Sequence, residues 1–118
     1  MEHLILSILQ NAFKLHKIDP AKIRREKLLD PEGRVFWKGY SSDIDVLFED
    51  GNVYPMEIKS SITTDEIAHF LENVKLFKLT SGKKVTRPIL AVVKITQPML
   101  DFVTGLQIQV IYGEIVPD

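Results

Sequence analysis

The 118-residue sequence contains no cysteine, which excludes disulfide bonds and thiolate metal sites. No apolar run approaches the roughly 20 residues that a membrane-spanning helix requires. The N-terminus also lacks a basic region followed by a long apolar core, which is the pattern of a secretory signal. From these absences we expect a cytoplasmic protein with no membrane partner.

A large excess of either charge is also missing, because 15 basic and 16 acidic residues leave a formal net charge of −1. This balance argues neither for nor against a nucleic-acid partner, since the local distribution of charge decides such binding. Basic residues cluster over positions 14–27 and 75–87, and acidic residues cluster over positions 43–57. The content of 26% charged and 45% hydrophobic residues is typical of a globular protein, and the length predicts one domain over residues 1–118.

The most informative pattern lies in residues 43–60, where two short alternating segments flank Asp50-Gly51-Asn52. An Asp-Gly pair between two such segments predicts a β-hairpin. Alternation of apolar and charged residues predicts strands with one buried face. The apolar members are Ile44, Val46 and Phe48 in the first segment and Tyr54, Met56 and Ile58 in the second.

The length of the turn decides which side chains face each other across this hairpin. A two-residue turn would set Asp45 against Met56 and bury a carboxylate. A three-residue loop keeps the apolar residues on one face and avoids that burial. The opposed pairs are then Glu49 with Val53, Asp45 with Glu57, and Asp43 with Lys59. We therefore expect two carboxylates and an ammonium group on the other face, with opposed Cβ atoms about 5 Å apart.

Two facing carboxylates repel each other unless a positive charge lies between them. A hard divalent cation with oxygen ligands is a common solution, and Lys59 could then orient or deprotonate a water beside that metal. The alternative is a solvated strand face on which Lys59 screens its acidic neighbours. Such exposed pairs contribute less than about 1 kcal/mol each.

Asp45, an eleven-residue gap and then Glu57-Ile58-Lys59 resembles the motif of the PD-(D/E)XK nuclease superfamily, in particular its small archaeal and bacterial members and the Holliday junction resolvase branch. The resemblance implies that Asp45 and Glu57 bind Mg²⁺, with Mn²⁺ as a substitute, and that the Ile58 carbonyl adds a ligand. It also implies that Lys59 serves the hydrolytic water. Second-tier candidates are Asp43, which competes as the first ligand, Ser60 and Lys75.

Many members of this superfamily carry a supporting glutamate in their first helix. The candidates here are Glu2, Glu26 and Glu32, and no motif selects one of them. Lys75 lies in the helix that follows the motif, where members often place DNA-contacting residues. An ion pair with Glu72 is its simpler role.

Periodicity and capping residues predict the remaining elements. Asp19-Pro20 indicates the start of a helix, and Thr63 with Glu66 resembles a capping box. The predicted helices are 2–17, 20–29, 63–80 and 98–104, and the predicted strands besides the hairpin are 34–40, 88–95 and 106–112. The expected fold is a restriction-endonuclease-like, three-layer α/β/α domain with a mixed sheet of about five strands. Its expected core order is helix, three-strand meander, helix and strand.

The aromatic residues Phe36, Trp37 and Tyr40 could stack on unpaired bases. Burial in the core explains them more simply, because a small domain usually buries a single tryptophan.

The leading functional prediction is a Mg²⁺-dependent endo- or exonuclease that hydrolyses phosphodiester bonds of DNA, with structure-selective cleavage as one form. An alternative is a catalytically silent nuclease fold that binds nucleic acid or supports assembly. A third is a nuclease subunit that needs a partner for specificity. A homodimer through the first helix or the C-terminal strand is also compatible with the sequence.

Overall fold

Five strands form one mixed sheet whose spatial order follows their order in the chain. The computed structural model describes residues 23–49 and 51–118. Its elements are β1 (Ile23–Asp30), β2 (Tyr40–Glu49), β3 (Val53–Lys59), α1 (Thr64–Ser81), β4 (Ile89–Thr96), α2 (Gln97–Gly105) and β5 (Gln109–Val116). The first three strands are antiparallel neighbours, whereas β3, β4 and β5 are parallel. The α/β class and the five-stranded mixed sheet are therefore confirmed.

The hairpin of β2 and β3 has the predicted register. Glu49 pairs with Val53, and the ladder continues to the pair formed by Val46 and Met56. Gly51 lies in the loop with a φ of 75°, a conformation that glycine adopts without a steric penalty. The three-residue loop is thus confirmed, and so is the register from Glu49 to Val46; the described ladder ends before the predicted pair of Asp45 with Glu57.

The meander contains a different first strand from the predicted one. The helix predicted over residues 20–29 is wrong from Ile23 onward, because β1 occupies this segment and pairs with β2. Its burial has the two-residue period of a strand, with Leu28 and Asp30 buried and Lys27 and Leu29 exposed. Pairing with a distant segment has overridden a local helix signal.

The strand predicted over residues 34–40 is also wrong, apart from its last residue. Residues 31–39 form a loop, and Tyr40 opens β2. The loop starts with the Gly33 N–H donating to the Asp30 carbonyl at 3.2 Å, and it closes with the Gly39 N–H donating to the same oxygen at 2.8 Å. A compact turn of this kind satisfies its backbone locally and so needs no sheet partner.

The second half of the chain matches the predictions closely. Thr63 caps α1, and both hydrogen bonds of the capping box with Glu66 are present. Gly82 ends this helix in the left-handed region, with a φ of 70°. Strand β4 and helix α2 lie within one residue of their predicted bounds, whereas β5 starts three residues and ends four residues later than predicted.

Both described helices pack on the same face of the sheet. One buried cluster joins Leu47 and Val53 to Leu76 and Phe77 of α1, and a second joins Leu90 and Val92 to Ile67 of α1 and Val103 of α2. The opposite face carries a third cluster around Met56, Ile89 and Ala91. The helix predicted over residues 2–17, and with it the third layer of the expected fold, lies outside the described residues. Neither described helix is long and apolar enough to cross a membrane.

A β-bulge interrupts β2 next to the predicted site. Arg24 pairs with Leu47 but Glu26 pairs with Ile44, so that Asp45 and Val46 together face a single residue of β1. A bulge shifts the alternation of side chains. As a result Ile44 and Leu47 belong to the same buried cluster, although simple alternation predicts opposite faces. The prediction that Ile44 shares a face with Val46 is therefore wrong.

Candidate active site

Asp45 lies in the bulge, just beyond the last described pair of the β2–β3 ladder. Its Oδ2 accepts a hydrogen bond from the Ile58 N–H at 3.1 Å. A side-chain carboxylate thus occupies the acceptor position that a backbone carbonyl would hold in a continued ladder. This bond fixes the Asp45 carboxylate against β3, one residue from Glu57.

Glu57 and Lys59 project from the face of β3 that α1 covers. Glu57 pairs in the sheet with Leu90, which belongs to the cluster beneath α1 and α2. The Lys59 Nζ lies 3.7 Å from the Glu57 Oε1, so both side chains share this face. The predicted acid, acid and amine are therefore neighbours in space.

Glu66 is a fourth charged residue of the site, and sequence reasoning missed this role. Its Oε1 accepts the Thr63 N–H at 3.0 Å in the capping box, and its Oε2 lies 3.1 Å from the Lys59 Nζ. The capping motif identified Glu66 as part of a helix start. Nothing in that motif indicates that the start of α1 lies over the end of β3.

The electrostatics of Glu57 are unusual for a carboxylate. Burial, and then the negative charge of Asp45, raise its pKa from 4.5 to about 7, although Lys59 acts in the opposite direction. The side chain of Glu57 is only 17% exposed. Asp45 and Glu57 together create a region of negative potential that opposes ionisation of Glu57. A bound cation would neutralise this potential.

Lys59 is a firmly protonated cation in this arrangement. Its hydrogen bond with Glu66 raises its pKa above the ordinary value, despite partial burial. The same contact lowers the pKa of Glu66. Of the two roles predicted for Lys59, a raised pKa favours orienting a water or phosphate over abstracting a proton from water.

The donors at this position fit a hard divalent cation. Asp45 and Glu57 offer carboxylate oxygens only, and Mg²⁺ prefers oxygen ligands. Within residues 23–49 and 51–118, no group of three or more acidic, histidine or cysteine side chains is arranged to hold a metal. Two carboxylates still suffice for Mg²⁺, which commonly completes its shell with waters and substrate phosphates.

The second-tier residues are not brought together with this group. Asp43 pairs with Lys27 of β1, and the described β2–β3 ladder does not reach the predicted pair with Lys59. Ser60 is exposed, and its carbonyl accepts the Lys94 N–H at 3.0 Å. Neither residue has a described contact with the carboxylates of the site.

Lys75 lies on the other side of α1. It is nine residues beyond Glu66, which corresponds to about half a turn of rotation around the helix axis. There it lines a separate open cleft of about 360 Å³ together with Lys78 and Arg87. In the described structure Lys75 makes no ion pair with Glu72, so the simpler predicted role is not realised.

The described candidates for a supporting glutamate also lie elsewhere. Glu26 belongs to β1 and pairs with the Arg24 guanidinium at 3.1 Å. Glu32 is exposed in the loop after β1. Glu2 lies outside the described residues, so Glu66 is the additional acid that this structure places beside the motif.

Comparisons of the chain with protein-family models, curated proteins and solved structures found no match. Functional inference therefore depends on the geometry and electrostatics of the site itself.

Proposed function

We propose that this protein is a Mg²⁺-dependent nuclease of the PD-(D/E)XK type, with a restriction-endonuclease-like fold and DNA as its substrate. The observation that carries the proposal is the convergence of Asp45, Glu57 and Lys59 where β2 and β3 part. The raised pKa of Glu57 supports it, because perturbed carboxylates concentrate at functional sites.

In this proposal Asp45 and Glu57 hold the cation, with the Ile58 carbonyl as a further ligand. A bound Mg²⁺ or Mn²⁺ would lower the pKa of a water and offset the charge that develops on the phosphate. The chain's own contribution is positional. The Ile58 N–H holds Asp45 in place, and Glu66 holds the Lys59 ammonium beside Glu57, where it can orient a phosphate oxygen or the attacking water.

The direct test is cleavage of branched, flapped, single-stranded and duplex DNA in the presence of Mg²⁺ or Mn²⁺. We expect Glu57→Gln, Asp45→Asn and Lys59→Met each to lower the rate by at least about 100-fold, as for loss of an electrostatic catalytic group. Glu114→Gln is the matched control, because it removes an exposed acid on β5 that pairs with Lys94 at 3.9 Å. Cleavage that survives Glu57→Gln would overturn the assignment.

A second candidate is a catalytically silent member of the same fold that binds nucleic acid or supports assembly. One observation favours it: Lys59 lies closer to Glu66 than to Glu57, at 3.1 Å against 3.7 Å, so the site is partly neutralised by its own amine. Calorimetric titration with Mg²⁺ and Mn²⁺ separates the two candidates. Absence of binding at millimolar metal, together with DNA binding or self-association, would favour the silent form.

For self-association we propose β5 as the contact surface. Among the strands of residues 23–49 and 51–118, β5 lies at an edge of the sheet, and it exposes Tyr112 and Ile115. Edge strands with apolar side chains commonly pair with a second chain. Sedimentation equilibrium would show whether a homodimer forms, and Ile115→Lys should dissociate it.

A further inference from the structure

Trp37 is the only tryptophan of the chain and lies largely on the surface, with 64% of its area exposed. The expectation that this residue is buried is therefore wrong. Exposed tryptophan is uncommon, because its large apolar ring gains free energy on burial. Its ring meets those of Phe36 and Tyr40 edge to face, with centroids 6.1 Å and 4.9 Å away.

The loop that carries Trp37 is rigidly built. The buried carboxylate of Asp30 accepts the backbone N–H groups of Arg34, Val35 and Phe36 at 2.8 to 3.0 Å. The Tyr40 N–H donates to the Trp37 carbonyl at 3.0 Å. These bonds hold the backbone on both sides of Trp37, so that stacking of a ligand on the indole would cost little conformational entropy of the backbone.

The aromatic group reaches the candidate active site through α1. Phe36 stacks on Tyr40 at 4.0 Å, and the Tyr40 hydroxyl donates to the Asn73 Oδ1 at 3.0 Å and lies 3.1 Å from the His69 Nε2. His69 is three residues beyond Glu66, which corresponds to about 4.5 Å of helix rise. Because Glu66 pairs with Lys59, the aromatic group and the candidate active site contact the same N-terminal part of α1.

The charge around the indole suits a nucleic acid strand. Arg34 and Lys38 are both exposed in the same loop, on either side of Trp37 in the sequence, and they outnumber its one exposed acid, Glu32. Exposed aromatic rings interleaved with basic side chains are typical of surfaces that bind single strands, because every base has a face that can stack. A paired base within a duplex has both of its faces covered by its neighbours.

We propose that Trp37 stacks on an unpaired base of a DNA strand whose backbone continues to Asp45, Glu57 and Lys59. This inference rests on the proposed nuclease function and narrows its substrate to single-stranded or flapped DNA. Arg34 and Lys38 would contact the phosphates next to the stacked base.

Because Trp37 is the sole tryptophan, intrinsic fluorescence reports on this residue alone. The probe is a twelve-nucleotide oligothymidylate added to the full chain in EDTA, where metal-dependent cleavage is suppressed. We expect saturable quenching of the Trp37 emission, and at least 10-fold weaker binding of a duplex of the same length. Unchanged emission at saturating oligonucleotide would overturn the proposal.

Binding of a labelled oligonucleotide, measured by anisotropy, provides the mutational arm. We expect Trp37→Ala to weaken binding by roughly 5- to 150-fold and Trp37→Phe to retain most of it. Phe102→Ala is the matched control, since Phe102 is a 47% exposed aromatic residue on α2. Equal affinity for Trp37→Ala and the wild type would contradict the stacking role, and unchanged thermal unfolding of Trp37→Ala would confirm that the variant folds.

Failure of this inference is distinguishable from failure of the proposed function. Quenching of the Trp37 emission and weaker binding by Trp37→Ala, without any cleavage, would contradict the nuclease function and support the stacking surface. If the wild type and Trp37→Ala cleave flapped and duplex DNA at the same rate, the nuclease function is supported and the stacking surface is contradicted. A shift of the Trp37 emission with protein concentration alone would show that a second copy covers the indole, and would also overturn the proposal.

Discussion

Asp30 and Glu57 are two largely buried carboxylates with opposite electrostatics. Asp30 is 1% exposed; burial by itself would raise its pKa, but hydrogen bonds from Phe36, Val35 and Arg34 hold the pKa below the ordinary value. Glu57 is also withdrawn from water, and burial together with the negative charge of Asp45 raises its pKa to about 7. The surroundings of Asp30 therefore stabilise the ionised carboxylate, whereas those of Glu57 destabilise it.

The difference lies in what each carboxylate can do for the protein. The Asp30 carboxylate accepts hydrogen bonds from backbone N–H groups and so holds a loop in place, which is a structural role. Glu57 has an amine at 3.7 Å, and no hydrogen bond from a described backbone N–H compensates it. A group held at a cost in stability is expected where a ligand later supplies the missing interaction.

The largest effect is expected from Asp30→Ala. It would leave three partly buried backbone donors of residues 34–36 without their acceptor, and withdrawn donors without partners are destabilising. We expect a large fall in the midpoint of thermal unfolding and loss of the fixed position of Trp37. Differential scanning calorimetry and tryptophan anisotropy measure the two effects.

The pH dependence of the Asp30 effect follows from its lowered pKa. The ionised carboxylate stabilises the fold above the unfolded-state value of 3.8, and this stability is lost as the pH falls through the lower folded-state pKa. The difference in stability between wild type and Asp30→Ala should therefore shrink below about pH 3.8. Asp43→Asn, at a half-buried acid of β2, is the control, and a comparable loss in that variant would contradict the special role of Asp30.

The next-largest effect is an increase in the free energy of unfolding. We expect Glu57→Gln to stabilise the metal-free protein by up to about 3 kcal/mol at pH 8, which is the free energy of a pKa displaced from 4.5 to about 7. Chemical denaturation in EDTA measures it. Below pH 4.5 the folded and unfolded states both bind the proton, so the advantage vanishes there and develops as the pH rises towards 7.

Metal provides the matching control for Glu57. Millimolar Mg²⁺ should raise the unfolding midpoint of the wild type at pH 8 and leave that of Glu57→Gln nearly unchanged, because a ligand that binds only the folded state stabilises it. A variant less stable than the wild type at pH 8 in EDTA would show that Glu57 has a structural role like that of Asp30. The comparison between the two carboxylates would then fail.

Local sequence signals predicted the hairpin register and helix α1, since both depend on residues close together in the chain. Gly51 sets the loop, and Thr63 with Glu66 sets the helix start. Strand β1 was mispredicted because its pairing with β2 is a distant interaction, whereas Asp19-Pro20 indicates a helix locally. The loop after β1 depends on Asp30, and no spacing rule reveals that one carboxylate will accept three consecutive N–H groups.

The residues of the candidate site could be predicted from the sequence, but the contacts between them could not. The spacing of Asp45 and Glu57-Ile58-Lys59 indicated which residues would meet. The bulge at Asp45, its bond to Ile58 and the contact between Glu66 and Lys59 all depend on how β1 and α1 pack against the hairpin. Packing between segments far apart in the chain leaves no local pattern in the sequence.

A smaller effect is expected at Gly33, which completes the loop held by Asp30. Its φ is 69°, and an added Cβ would lie 2.7 Å from the Lys38 backbone nitrogen. We expect Gly33→Ala to lower the free energy of unfolding by about 2 kcal/mol, because left-handed strain adds to a backbone clash. Gly82→Ala is the matched control, with a φ of 70° and nothing within 4 Å, and urea denaturation of both variants isolates the clash. Equal losses would show that the loop yields and is less rigid than the stacking proposal requires.

The smallest effect on stability is expected from Glu66→Gln. The Lys59–Glu66 pair is about one-third exposed on each side, and pairs of this kind contribute less than about 1 kcal/mol. The amide can still accept the Thr63 N–H, so the helix cap should survive the change. Removing the negative charge should nevertheless lower the pKa of Lys59, because Glu66 is the main cause of its elevation. A nuclear magnetic resonance titration of the Lys59 side chain measures this shift, with Glu72→Gln on the same helix as control. Identical titrations in the two variants would remove Glu66 from the site, whereas a shift without loss of stability would define it as the residue that positions Lys59.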